Sequence, residues 1–330
     1  MSSLRVFVTR KIFPEALDLL TPHAQLEVWP EEQPPSPQVF KEKAAGAHGL
    51  LTNVMDRVDQ RLLDAAPELK AVSQISVGLD NVDLAEATRR GIPVGNTPGV
   101  LAKATADLGF GLLLDAARRI SQGDRFVRAG NWQMAYHPMH WLGAEVNGAT
   151  LGIIGLGQIG LEMAKRAMGF DMKVIYHSRT RKPDLETRYG LEFAEKDTLL
   201  SSADFISLHL PLTPETRHYI GEVELRSMKT TAVLINLARG AVVDPNALYT
   251  ALNEGWIQAA GLDVTDPEPI PADDPLLTLD NLVISPHIGS ASVDSRRATC
   301  MLAARNLVAG LRGERMEHCA NPEVYQALGI

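Results

Sequence analysis

The sequence predicts an α/β fold of two Rossmann-like domains, parallel sheets with helices on both faces, one domain being inserted into the other. Three observations predict it. Short β-rich runs alternate with amphipathic helical stretches along all 330 residues, the pattern of repeated βαβ units. The runs form two series separated by a long helical stretch, and 330 residues is more than one core usually fills. A second long helical stretch follows the second series, which returns the chain to the domain in which it began.

Taken in order, the first series comprises β-rich runs at residues 5–8, 49–51, 70–75 and 93–95, with amphipathic segments between them. A strongly helical stretch spans 103–120. The second series follows at 151–154, 173–176, 205–209, 232–236, 259–264 and 282–285, and six such strands match the dinucleotide-binding sheet. The last helical stretch covers 293–311. Both long helices are expected to cross between domains. The division expected is therefore residues 1–102 with 291–330 as a flavodoxin-like substrate domain, and 103–290 as a dinucleotide-binding Rossmann domain. The proline-rich run from Pro30 to Pro37 is read as a polar loop.

Composition narrows the function class. Hydrophobic residues make up 45% and charged residues 22%, the profile of an ordinary globular protein. A net charge of -8 without a long block of like charge disfavours nucleic acid or a membrane surface as partner. The apolar stretch within Met1 to Arg10 is too short for a signal peptide, and no segment holds the ~18 uncharged apolar residues of a membrane span. A cytoplasmic enzyme is expected. The two cysteines, Cys300 and Cys319, suggest neither a disulfide framework nor a zinc cluster. His137 and His140 have no third ligand at metal spacing, so no metal is assigned.

Gly155-Leu156-Gly157-Gln158-Ile159-Gly160 fits G-x-G-x-x-G, and it lies between an apolar strand and a helical run. That context makes it a dinucleotide loop, with the pyrophosphate at the helix N-terminus. An acid about 20 residues past the first glycine would mark NAD. None stands there. The sequence reads His177-Ser178-Arg179-Thr180-Arg181-Lys182, offering hydroxyls and guanidinium groups to a 2′-phosphate. NADP(H) is the expected cofactor, with NAD(H) as the alternative.

Three polar segments close later strands: 236–240, 261–269 and 285–290. Strand carboxyl ends are where open α/β sheets bind ligands. A 2-keto acid needs a fixed cation to orient it and an acid to protonate its carbonyl oxygen as hydride reaches carbon. Arg239 supplies the cation. His287 is the candidate acid, and Glu268 can hold its other nitrogen.

With Ser76 to Asn81, Gly95 to Pro98 and Leu302 to Gly313, these motifs make nearly the whole chain resemble the D-isomer-specific 2-hydroxyacid dehydrogenases, and among them the glyoxylate/hydroxypyruvate reductases. The resemblance implies catalytic Arg239, Glu268 and His287, and a cleft between domains that closes on ligand. It implies that Val77 and Gly78 hold the substrate carboxylate through backbone N–H groups, with Arg239 and His287 as the other substrate contacts. Asp263 is implied to meet the nicotinamide carboxamide, Pro211, Leu237 and Gly289 to line the cofactor cleft, and Asp107 to face the nicotinamide side. Gly99 departs from the Asp that many relatives carry after Thr-Pro. The segment from Trp132 to Trp141 matches the family's dimer arm, so a homodimer through residues 122–147 is implied. The function expected is NAD(P)H-dependent reduction of glyoxylate or hydroxypyruvate to the D-2-hydroxy acid. Reduction of 2-ketogluconate, oxidation of another D-2-hydroxy acid, and an NAD(H)-sensing co-repressor that binds protein partners are the alternatives.

Overall fold

The β-rich runs become short strands because their alternate residues can be buried on both sides, and all pairings between the named strands are parallel. A computed structural model describes residues 4–330; Met1, Ser2 and Ser3, part of the opening stretch read for a leader, lie outside the described residues. The chain begins β1 (Arg5–Val8), α1 (Pro14–Leu20), β2 (Gln25–Val28), α2 (Pro37–Ala44), β3 (Gly49–Thr52), α3 (Gln60–Ala65), β4 (Ala71–Gln74), α4 (Leu84–Arg89) and β5 (Val94–Gly95). It continues through α5 (Ala102–Arg118), α6 (Ile120–Arg128), β6 (Thr150–Ile154), α7 (Gln158–Met168), β7 (Lys173–His177), α8 (Pro183–Tyr189) and β8 (Glu192–Phe193). Then come α9 (Lys196–Ser202), β9 (Phe205–Leu208), α10 (Glu222–Ser227), β10 (Val233–Asn236), α11 (Pro245–Asn253), β11 (Ala259–Leu262), β12 (Leu282–Ile284), α12 (Val293–Leu311) and α13 (Val324–Leu328).

The chain divides into two compact units, one of residues up to Leu101 with Ser292–Ile330, the other Ala102–Ala291. The first holds a five-stranded sheet in the order β2-β1-β3-β4-β5. The second holds a seven-stranded sheet in the order β12-β11-β10-β9-β6-β7-β8. In the latter the order reverses between β6 and β9, the switch point at which doubly wound sheets open a ligand crevice beyond their strand ends.

Strand periodicity explains the two layers of core in each unit. In β6, Ile153 packs with Leu151, Met163 and Tyr176 while its neighbour Ile154 packs with Ile206, Leu208 and Leu234, as side chains alternating across a sheet must. The long α5 packs on α7 and β10–β12, and α12 packs on β3–β5 and α1. Each long helix thus builds one unit's own core. Local signals set the helix starts: Ser36 accepts from Val39 N at 3.3 Å ahead of Pro37, and Asp244 accepts from Asn246 N and Ala247 N ahead of Pro245.

Three features depart from the sequence reading. The second sheet has seven strands and not six, because the two-residue β8 adds itself to the edge beside β7. The edge strand β2 is also absent from the reading; it alternates exposed and half-buried residues, with too little apolar content to stand out. The helical stretch 103–120 breaks at Arg119, which takes a left-handed φ of 59° and separates α5 from α6.

Candidate active site

The glycine loop leaves β6 at the switch point. Gly155 has φ +99°, a conformation that suits glycine, and a Cβ there would lie 2.6 Å from the carbonyl oxygen of His209, at the end of β9. A Cβ on Gly160 would lie 2.4 Å from the Gly155 carbonyl oxygen, so only glycine lets α7 approach its own loop this closely. Gly157 is the opposite case. It is the helix N-cap, with no side chain to cap the first turn, and a Cβ on it would meet nothing within 4 Å. Two glycines are required by the protein, and the third leaves open space beside the first-turn N–H groups of Gln158, Ile159 and Gly160. This is the shape a pyrophosphate needs, so the residues present fit a dinucleotide.

Beyond β7 the turn that carries Ser178, Arg179, Thr180 and Arg181 is ordered by its own contacts. The Ser178 hydroxyl donates to the Thr180 carbonyl at 2.7 Å. Arg181 is not an open cation: its Nε and Nη2 donate to the two carboxylate oxygens of Glu186, each at 2.8 Å. Arg179 and Thr180 are exposed.

Arg239, Glu268 and His287 lie on the loops after β10, β11 and β12, neighbouring strands of one sheet. Asn236 shapes the first loop, donating to the Arg239 carbonyl at 2.9 Å and accepting from Ala238 N at 3.0 Å. Next to Arg239, a Cβ on Gly240 would lie 1.9 Å from the carbonyl oxygen of Thr265. Glycine is therefore what lets the loop bearing Arg239 pass against the loop bearing Glu268. Glu268 Oε1 accepts from His287 Nδ1 at 2.5 Å, with both side chains about one-third exposed at 29% and 33%. A carboxylate can only accept, so Nδ1 carries the proton and Nε2 is the nitrogen available for transfer. His287 itself has φ +52°, an uncommon conformation for a side-chain-bearing residue. It is held there by Asp263, buried to 3% exposure. One Asp263 oxygen accepts from the Ser285 hydroxyl at 2.6 Å and Ile288 N at 2.8 Å, the other from Gly289 N at 2.7 Å.

In the other unit, Val77 and Gly78 sit on the loop that follows β4. The Gly78 carbonyl accepts from Gln74 Nε2 at 2.7 Å and the Ser76 hydroxyl at 2.8 Å, and the Val77 carbonyl accepts from Asn96 at 2.9 Å. Their carbonyls are thus anchored to the protein. Among the described residues their N–H groups donate to no protein acceptor.

The other expected site residues have these surroundings. The Asp107 side chain is 69% exposed and pairs with Arg166 at 2.6 Å, near the C-terminal end of α7. The helical period puts Thr105 and Ala106 inward and Asp107 outward. Leu237 is buried and its side chain presses on Gly109 of α5, within the core. Asp263 spends three acceptor positions bracing the loop of His287, and Gly289 is buried against it. Pro211 is exposed, in a turn closed by the Thr216 hydroxyl on its carbonyl. Asn236 and Ser285 stand in the quoted motifs, yet no sequence signal announced them as supports. The strand-end Asn three residues before an Arg was the available hint. No cluster of potential metal ligands occurs among the described residues.

Residues 110–289 match the family described as "D-isomer specific 2-hydroxyacid dehydrogenase, NAD binding domain". A glyoxylate reductase of Korarchaeum cryptofilum is 50% identical over 320 residues, 97% of this chain and 96% of that protein. A crystal structure of a Thermus thermophilus protein superposes with a TM-score of 0.90 at 45% identity, covering 96% of this chain and 100% of that one. An NADPH-dependent glyoxylate/hydroxypyruvate reductase of Sinorhizobium meliloti, solved with NADP and malonate, has a TM-score of 0.85 at 32% identity and covers 97% of each chain.

Proposed function

The chain belongs to the D-isomer-specific 2-hydroxyacid dehydrogenase family, and from that premise we propose that it reduces glyoxylate to glycolate and hydroxypyruvate to D-glycerate, with NADPH preferred over NADH. The observation that carries this reading is the His287–Glu268 pair, set on adjacent strand ends beside Arg239. The dinucleotide, when bound, supplies the hydride. The chain's own residues do the rest. Arg239 holds the keto acid by its planar donor fork, which matches a carboxylate and an adjacent carbonyl oxygen. Protonated His287 gives its Nε2 proton to the carbonyl oxygen as that oxygen gains negative charge, while the Glu268 carboxylate at Nδ1 balances the charge of the ring and fixes its orientation. Val77 and Gly78 are assigned to the substrate carboxylate, a role supported by their uncommitted N–H groups.

The loop from Gly155 to Gly160 is assigned to the pyrophosphate, and Arg179 with the Ser178 turn to the 2′-phosphate. The absence of an acid at the end of β7 supports NADPH. The chain is further proposed to act as a homodimer through residues 122–147, where Trp132, Met134, Tyr136, Met139 and Leu142 are all at least 59% exposed, an apolar group larger than single exposed residues explain. Initial rates with glyoxylate, hydroxypyruvate and 2-ketogluconate, each with NADPH and NADH, test the reading. It expects the highest kcat/KM for one of the first two with NADPH. A maximum for 2-ketogluconate would reassign the substrate, and turnover with none of them would support the co-repressor alternative.

A further inference from the structure

Arg181 is held by more than its ion pair. Glu186 Oε1, which takes Arg181 Nε, also accepts the Tyr176 hydroxyl at 2.6 Å, and that hydroxyl accepts from Lys182 N at 2.7 Å. Tyr176 is a fully buried residue of β7, the strand that delivers the turn, and the Arg181 guanidinium lies 5.8 Å from the Phe193 ring centroid. Arg181 and Tyr176 hold the Glu186 carboxyl far below the usual range, at about 2. Near neutral pH the carboxylate is charged. The turn read from sequence as a cluster of three cations therefore contains an internal anion, contributed from α8.

We infer that Glu186 sets the cofactor preference by cancelling the charge of Arg181, so that Arg179 is left as the principal cation for a 2′-phosphate. The inference rests on the NADPH reading and refines it. A 2′-phosphate brings close to two negative charges to this turn, whereas the ribose 2′-hydroxyl of NADH brings none. Removing Glu186 should therefore tighten NADPH and leave NADH alone. The paired arrangement has net charge zero, Glu186→Gln leaves +1, Arg181→Gln leaves -1, and the double variant returns to zero. NADPH affinity should follow that series. Gln can still accept from the Tyr176 hydroxyl, so Glu186→Gln changes the charge and preserves the scaffold.

The test is equilibrium titration of both cofactors, followed by nucleotide fluorescence, against the wild type, Glu186→Gln, Arg181→Gln, the double variant and Arg179→Gln. Glu186→Gln should bind NADPH about three- to tenfold tighter at low salt, the scale of one exposed charge within a Debye length. The gain should shrink as salt rises. Arg181→Gln should weaken NADPH by a similar factor, the double variant should return to the wild-type value, and NADH should stay within twofold throughout. Parallel loss of both cofactors in Glu186→Gln would mean that the pair only props the turn, and an unchanged NADPH/NADH ratio would equally overturn the inference. Arg179→Gln judges the underlying reading by itself: if it weakens NADPH no more than NADH, the 2′-phosphate assignment fails whatever the charge series gives.

Discussion

A lysine at position 239 would keep the charge and lose the fork, since one ammonium cannot span a carboxylate and a carbonyl with fixed parallel donors. Arg239→Lys should lower kcat/KM for glyoxylate by about 10²-fold with NADPH affinity unchanged; steady-state rates and a cofactor titration check both halves. His209 supplies a residue-level test of stability. Its Nε2 meets the Ser207 hydroxyl at 2.9 Å, its Nδ1 is enclosed with no hydrogen-bond partner, and burial pushes its pKa down to about 3. The folded chain thus resists a proton that the unfolded chain accepts near pH 6.5. Stability from this group is full above that pH and declines as pH falls toward about 3, by up to about 1.4 kcal/mol per pH unit. Denaturant melts should show a shallower acid slope for His209→Gln; identical slopes would mean that the ring is not kept neutral. At this scale the sequence was most legible where chemistry limits the choice of partner, as for Glu268 and His287, whose side chains the structure joins. It was least legible where a role depends on direction. Asp107 lies one position beyond the inward-facing Thr105 and Ala106, and Asp263 braces His287 through contacts across 22 to 26 positions of the chain. No local pattern encodes either fact.

The glycine loop shows what an element can reveal before its structure is known. The motif announced its turn and helix, and the structure adds that its glycines serve different ends. A methyl group at Gly160 must displace α7 from the Gly155 carbonyl, whereas one at Gly157 enters space the protein leaves open. Gly160→Ala should therefore cost about 1–3 kcal/mol of stability by overpacking and weaken NADPH and NADH alike by tenfold or more. Gly157→Ala should lose cofactor affinity at an unchanged melting temperature. Thermal melts with paired titrations distinguish the two, and equal destabilisation by both would contradict the assignment. Elements with a buried face were legible for the same physical reason: β6, β9 and β10 are apolar runs because both sides of each are covered. The edge strands β2 and β8 are short and half-exposed, so pairing with a neighbour makes them strands more than their composition does. The break at Arg119 was hidden because residues on both sides of it have helical propensity, and only the left-handed backbone separates α5 from α6.

For the molecule as a whole, no helix among the described residues is long and apolar enough to cross a membrane, and the exposed aromatic segment at residues 132–142 is the feature on which the proposed dimer rests. Trp141 is anchored within the chain, with Phe126 at 5.0 Å and the Arg119 guanidinium at 4.8 Å from its ring, while Trp132 and Tyr136 remain 59% and 79% exposed. Replacing Trp132 and Tyr136 with Ser should shift sedimentation from twice the chain mass toward the single chain, without loss of helical circular dichroism. A wild-type monomer at micromolar concentration would contradict the proposed dimer. The inserted order of the two units was legible from the two strand series and their flanking long helices, because chain order alone carries it; the preferred keto acid was not, because pocket width depends on side chains that are distant in sequence. His287 is proposed to donate the proton as this chain reduces a 2-keto acid. The most direct measurement is chiral analysis of the glycerate formed from hydroxypyruvate per NADPH oxidised, by the wild type and by His287→Ala at saturating cofactor. The wild type is expected to form one D-glycerate per NADPH, and His287→Ala to react about 10²–10⁴-fold more slowly with NADPH affinity intact. L-glycerate as the product, or a near-normal rate without His287, would contradict the proposal.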